Sequence, residues 1–249
     1  MTAVEMLNEF SIKYNNIMSN QAPGLNSYEI SVFLTRAQEE LVKNYFNPNG
    51  NKYRAGFDGN EKRQIDFSML IKAVKLTAYT SADYIKIDPR SQLYDFSTVT
   101  NLLFVINETA TVMNDTTQVK RINIRPLSYI EYSRLMLKPY KAPLNYEGWR
   151  LMNKSTDNTK SIAEVILSLN SGETLFNYII RYVMKPTPIV VANLNEEYSD
   201  VSVDGVTELT DCKLDPEIHS EIVQRAVEIA KASYGGSESD LVSMGTRTE

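Results

Sequence analysis

The chain has 249 residues, is 43% hydrophobic and 23% charged, and carries a formal net charge of −5. That length and balance fit a folded protein of one large or two modest domains with a sizeable core, and the negative charge argues against a protein whose main task is gripping nucleic acid. Its one cysteine, Cys212, excludes an internal disulfide framework and any multi-cysteine metal site, and suits a reducing cytosol. The opening MTAVEMLNEF has no basic stretch leading into an apolar core, so no secretory signal is expected. No apolar run approaches the roughly 20 residues that span a bilayer, so no membrane partner is expected.

Residues 2–18 place Val4, Met6, Leu7, Phe10, Ile12, Tyr14 and Ile17 at mainly helical spacing and read as a helix or an arm. Asn26 or Ser27 then caps a stronger helix over residues 28–46. Its stripe is Ile30, Phe33, Leu34, Ala37, Leu41 and Tyr45, with Gln38, Glu39 and Glu40 on the outer face. Asn47-Pro48-Asn49-Gly50 stops that helix, because proline cannot continue it and glycine can turn. Residues 51–63 are Gly-, Asn- and charge-rich and read as an exposed loop, and residues 65–76 fit a short helix and a strand equally.

From Tyr84 the period changes to two, predicting strands over residues 84–87, 102–106 and 119–124, with a turn at Asn114-Asp115. Ser128 caps a short helix over residues 129–137, and the two prolines of residues 138–147 make that stretch a loop. Residues 148–152, 162–169 and 175–184 read as strands, the last two separated by the turn Asn170-Ser171-Gly172-Glu173, and Trp149 falls in a core or an interface. Lys185-Pro186-Thr187-Pro188 forces extended backbone before Ile189-Val190-Val191.

Residues 212–234, CKLDPEIHSEIVQRAVEIAKASY, are the best-specified helix. Asp215 is an N-cap, Pro216 occupies the first helical position, and Glu217 and Glu221 put negative charge at the positive end. Ile218, Ile222, Val223, Ala226, Ile229 and Ala230 form one apolar face, expected to pack on the 28–46 helix, and Glu221 and Arg225 lie at i,i+4 opposite it. Gly235-Gly236 ends the helix, and residues 237–249 read as a disordered polar tail.

Helices at both ends with strands between them predict an α+β fold: a helical body from the N- and C-terminal helices, and a strand-rich middle forming a sandwich or a single antiparallel sheet. The expected divisions are residues 1–80 for the N-terminal arm and helices, 81–212 for the strand-rich region, 213–236 for the C-terminal helix and 237–249 for the tail.

Chemistry-bearing motifs are absent. There is no phosphate loop and no Gly-x-Gly-x-x-Gly after a strand, and a single histidine, His219, excludes a His-Glu-x-x-His zinc site. Cys212 and His219 are seven residues apart and in principle permit a nucleophile–base pair. The reading preferred is a small buried cysteine and a helix-surface histidine near a partner. Glu39-Glu40 and Glu196-Glu197 are adjacent, so their side chains diverge. The expectation is therefore no enzyme, with no catalytic, cofactor-binding or metal-ligating residue and no cofactor.

Charge is unevenly spread. Residues 120–160 hold nine basic residues (Lys120, Arg121, Arg125, Arg134, Lys138, Lys141, Arg150, Lys154, Lys160) against three acidic, whereas residues 193–221 hold nine acidic (Glu196, Glu197, Asp200, Asp204, Glu208, Asp211, Asp215, Glu217, Glu221) against Lys213 alone. Two oppositely charged surfaces on one chain suit head-to-tail binding, the contact that closes rings, or meet within one molecule, or are simply solvated.

Four segments carry a family resemblance: NSYEISVFLTRAQEELVKNYF, RPLSYIEYSRLMLKPYKAPLNYEGWRL, RYVMKPTPIVVANL and CKLDPEIHSEIVQRAVEIAKASY, with Trp149, Arg150, Pro186, Pro188, Leu214, Pro216, His219 and Ala226 among the matching positions. Their order and spacing resemble virion structural proteins of tailed phages that infect Bacteroides and relatives, the crAss-like phages included. What the resemblance implies is a head-to-tail connector: a neck or ring adaptor forming a homo-oligomeric ring of about twelve copies between the portal and the tail or neck proteins. DNA would pass through the lumen without specific binding, and the protein would sit in the virion after assembly in the host cytoplasm. Alternatives are a tail-tube terminator or another capsid or tail accessory protein and, from a different class, a carboxylate-dependent glycan hydrolase aiding entry.

Overall fold

A computed structural model describes residues 1–17, 24–46, 65–81, 84–114, 117–138, 140, 143–144, 146–155, 159–198 and 200–234. The helix stop at residues 47–50, the loop at 51–63, Asp115, Lys141, the Gly235-Gly236 cap and the 237–249 tail lie outside them. The elements run α1 (Ala3–Ile17), α2 (Ser27–Phe46), β1 (Ile71–Ala78), β2 (Ser91–Asp95), β3 (Leu102–Asn114), β4 (Thr117–Pro126), α3 (Tyr129–Met136), β5 (Glu147–Lys154), β6 (Ser161–Ile166), β7 (Glu173–Met184), α4 (Leu194–Glu197) and α5 (His219–Tyr234). They divide into two compact units, Met1–Leu70 with Lys185–Glu249, and Ile71–Met184.

In the first unit α5 packs against α1 and α2. The starts of α1, α2 and the turn into α5 are closed by side chains. Thr2 Oγ1 accepts from Glu5 N while Glu5 accepts from Thr2 N, and Asn26 and Glu29 repeat the exchange at α2, two reciprocal capping boxes. Asp215 accepts from Glu217 N at 3.0 Å ahead of the 3₁₀ turn Pro216–Ile218 that leads into α5. The buried face of α5 is Ile222, Val223, Ala226, Val227 and Ala230, and the two helices it contacts bury Met6 and Phe10 (α1) and Phe33, Leu34, Ala37 and Leu41 (α2). The expected packing of α5 on α2 is therefore present, though Ile229 is half-buried. Arg225 turns away from Glu221: its Nε donates to Glu40 at 3.1 Å and its Nη1 to Glu228 at 2.9 Å, while Glu221 accepts from Tyr45.

The placement of Gln38 on the outer face of α2 is overturned, because its side chain is buried. Ser31, Thr35 and Gln38 lie at i, i+4 and i+7, one polar stripe along the helix. Ser31 and Thr35 accept from Val191 N and Ile189 N, both at 3.1 Å, and Gln38 Nε2 donates to Thr187 O at 3.0 Å. The stripe thus replaces a strand neighbour for the proline-interrupted backbone after Lys185. Further on, Val190 pairs with Thr210, and Val203 pairs with Val206 across Asp204-Gly205. Both turn residues have positive φ, +50° and +82°, the geometry a two-residue hairpin requires.

The second unit corrects the expected fold class. Its seven strands close into a barrel in the order β1-β2-β6-β5-β4-β3-β7, neither a sandwich nor a single open antiparallel sheet. One pair, β4·β5, is parallel, with Asn123 opposite Glu147 and Pro126 opposite Arg150. The connection permits the parallel pair: strands running the same way need a crossover of about a dozen residues or more, and the chain from β4 through α3 to β5 supplies it.

A seven-stranded barrel is narrow enough for side chains to fill. Leu76, Tyr94, Phe96, Ala110, Val112, Ile122, Ile124, Ala163, Val165, Tyr178, Ile180 and Tyr182 form that filling. On the outside, Trp149, Leu151 and Ile166 pack with Leu127 and with Tyr132 and Leu135 of α3. The strands β5 and β6 are covered on both faces: Trp149, Arg150 and Leu151 are consecutive buried residues of β5, and Ile162 to Ile166 of β6 are all buried. The predicted 84–87 strand is absent: Ile85 is exposed, and Ile87 N and Asp88 N donate to the Glu164 carboxylate, leaving no ladder. Residues 65–76 resolve into a 3₁₀ turn, Ser68–Leu70, and the start of β1.

Candidate functional site

The two residues with nucleophilic or basic potential are both held in structure. Cys212 is buried, and burial pushes its thiol up to about 11, the opposite of what a nucleophile needs. The placement of His219 on the helix surface is corrected: it is 3% exposed. Its Nε2 lies 2.9 Å from Leu214 O, which can only accept, so Nε2 carries the proton and Nδ1 accepts from the Met1 amino group at 2.9 Å. Among the described residues no group of three or more His, Cys, Asp or Glu side chains is placed to hold a metal ion.

Sequence reasoning passed over the charged residues that the barrel buries. Inside it, Arg150 Nε donates to both oxygens of Glu108, at 3.0 and 2.9 Å, and Tyr178 Oη donates to Glu108 Oε2. The Arg150 guanidinium lies 5.3 Å from the Phe96 ring centroid, and Tyr94 meets Tyr178 edge-on. Burial, followed by the negative charge of Glu108, raises the Tyr178 hydroxyl far above the ordinary tyrosine range. On the barrel's outer side Glu164, fully buried, accepts from Ile87 N, Asp88 N and Ser91 Oγ at 2.7, 3.0 and 2.6 Å. Asp88 in turn is held below its ordinary range by Arg90, which donates to both its oxygens. Every member is paired, so these clusters lock the barrel and leave no group free for acid–base work.

The second unit also exposes an apolar stretch. Seven of the fifteen large exposed hydrophobic side chains among the described residues fall in one stretch: Tyr129, Ile130, Met136, Leu137, Tyr140, Leu144 and Tyr146. Singly exposed apolar residues are ordinary, but a cluster marks an interaction surface. The basic segment divides at the same place. Lys120, Arg125, Arg150 and Lys160 reach Glu173, Glu131, Glu108 and Asp95 at 2.8, 2.7, 2.9 and 3.0 Å. Arg134 and Lys138 are exposed and make no ion pair among the described residues. The acidic segment, residues 193–221, belongs to the other unit.

Comparison with known proteins agrees with an assembly role. Residues 1–240 match the family described as phage tail ring protein 3/4. The chain is similar to "Ring protein 4/5" of Bacteroides phage crAss001, 49% identical over 249 residues and 100% of both chains. It is also similar to "Ring protein 3" of the same phage, 26% identical over 233 residues, 92% of this chain and 95% of the relative.

Proposed function

Because the chain belongs to the phage tail ring protein 3/4 family, we propose that it is a non-enzymatic virion subunit whose copies form a ring joining head to tail around the DNA channel. The observation that carries this reading is the full-length, 49% match to a protein named for a ring. The barrel supports it: closure leaves no open sheet edge to recruit further strands, so contact between copies falls to side chains and loops on a rigid frame. About twelve copies would match the portal. Carboxylates such as Glu196, Glu197, Asp200 and Glu208 are exposed, and turned to the lumen they would repel phosphate and let DNA slide. The thiol of Cys212 and both ring nitrogens of His219 are engaged or buried, which favours a scaffold over a catalyst. Reconstruction of purified particles tests the reading. Density for this chain should form a closed ring between portal and tail, and its absence from the particle, or a place outside that column, overturns the proposal.

A further inference from the structure

We infer that α3 is the surface by which one copy of this chain grips the next, seated on the acidic Glu197 and Glu208–Leu209 surface of its neighbour. The inference rests on the ring reading above and adds the interface to it.

The helix has apolar residues on opposite sides. Tyr132 and Leu135 pack inward beside Trp149, whereas Ile130 and Leu137, a further seven residues along, are 67% and 82% exposed. None of the eight residues of α3 is buried. A helix apolar on both sides belongs inside something larger, and Tyr140, shortly after the helix, is 95% exposed.

The helix is also held stiffly. Ser128 Oγ accepts from Glu131 N at 3.2 Å, Arg125 bridges to Glu131 at 2.7 Å, and Tyr132 Oη donates to Asp88 at 3.1 Å. A surface fixed in advance loses little entropy on docking.

Charge selects the occupant. Arg134 lies between Ile130 and Leu137 on the same strip, Lys138 follows it, and neither has a carboxylate partner among the described residues. A partner must therefore bring apolar surface flanked by acid. This chain has such a surface in its helical unit. Leu194 N donates to Thr207 O at 2.8 Å and Asn195 Nδ2 to Thr207 Oγ1 at 2.9 Å, which ties the short helix that ends in exposed Glu197 to the segment that continues into exposed Glu208 and Leu209, the last 48% exposed. Apolar Ile130 and Leu137, interleaved with cationic Arg134 and Lys138, fit apolar Leu209 beside anionic Glu208, on the surface that also carries Glu197. Two different patches meeting in this way make a heterologous contact, the kind that closes into rings.

Carbodiimide treatment of purified particles, which joins a lysine directly to a touching carboxylate, reads the contact. A band at twice the chain mass should contain Lys138 linked to Glu197 or Glu208. Dimer bands without that link overturn this interface and leave the ring reading standing, while absence of the chain from particles removes both. A charge swap gives the second readout. Arg134→Glu/Lys138→Glu and Glu197→Lys/Glu208→Lys chains should each associate with themselves at least about tenfold more weakly than wild type, and mixing the two should restore association. Variants that assemble alone as wild type does, or a mixture that stays apart, overturn the interface.

Discussion

Arg150 is the residue on which the barrel interior turns. Its guanidinium is nine-tenths buried, holds Glu108 through two nitrogens and sits against Phe96. Removing two charges from water is costly, and their attraction roughly offsets that cost only while both are present. Arg150→Met should therefore lower stability by about 3–5 kcal/mol, because Glu108 would be left charged and unpaired in the barrel. Glu108→Gln/Arg150→Met keeps an acceptor for Tyr178 and should recover at least half of that loss. Urea unfolding of the three proteins checks this. A double variant as weak as the single one would mean that Arg150 stabilises the barrel by packing and not by pairing.

At the scale of elements, α2 does two jobs with two stripes. Its apolar stripe meets α5, and Ser31, Thr35 and Gln38 hold the backbone of residues 187–191. Thr35 Oγ1 accepts from Ile189 N at 3.1 Å and donates to Ile189 O at 3.3 Å. Thr35→Val keeps the shape and removes both bonds, so it should cost about 1–3 kcal/mol, the desolvation of a buried peptide group left unpaired. Amide exchange at Ile189 should quicken with it; unchanged protection would show that another group satisfies that N–H.

This second stripe also shows where sequence reasoning stops. Gln38 looked solvated because it adjoins Glu39 and Glu40, and only the tertiary fold supplies the unpaired backbone that buries it. By contrast α5 was legible, since Asp215, Pro216 and the 3.6-residue period are all local signals. Six of the seven strands were visible in whole or part, although β2 was missed and β3 was predicted too short. Local signals in reach included Thr2-x-x-Glu5 and Asn26-x-x-Glu29 for the caps and Asp204-Gly205 for the hairpin. Barrel closure was out of reach, because it depends on β1 pairing with both β2 and β7, contacts that no local period encodes. The parallel β4·β5 pair was hidden differently: a helix between two strands was read, but its meaning as a crossover was not. The exposure of α3 was likewise invisible, because an apolar residue in a sequence argues for burial without saying in which molecule.

For the whole molecule, the tyrosines set an alkaline limit on stability. Burial first, then neighbouring carboxylates, raises Tyr84 and Tyr132 to about 12, burial alone raises Tyr94 to about 12, and Tyr178 lies higher still. All four belong to the barrel unit. In the unfolded chain a tyrosine ionises near pH 10. Above that pH the unfolded state has released protons that the folded state retains, so the folded state binds more protons and its stability falls as pH rises. The stabilisation from neutral buried hydroxyls is thus complete below about pH 10 and is lost between about pH 10 and 12 and beyond. Titration followed by tyrosinate absorbance should show exposed tyrosines ionising reversibly first, then a cooperative step that coincides with loss of the barrel's circular dichroism. Tyr178→Phe should move that step upward in pH, although it removes a donor to Glu108 and lowers stability at neutral pH. A titration in which all fifteen tyrosines ionise smoothly near pH 10 with the fold intact would contradict a barrel filled with neutral, hydrogen-bonded rings.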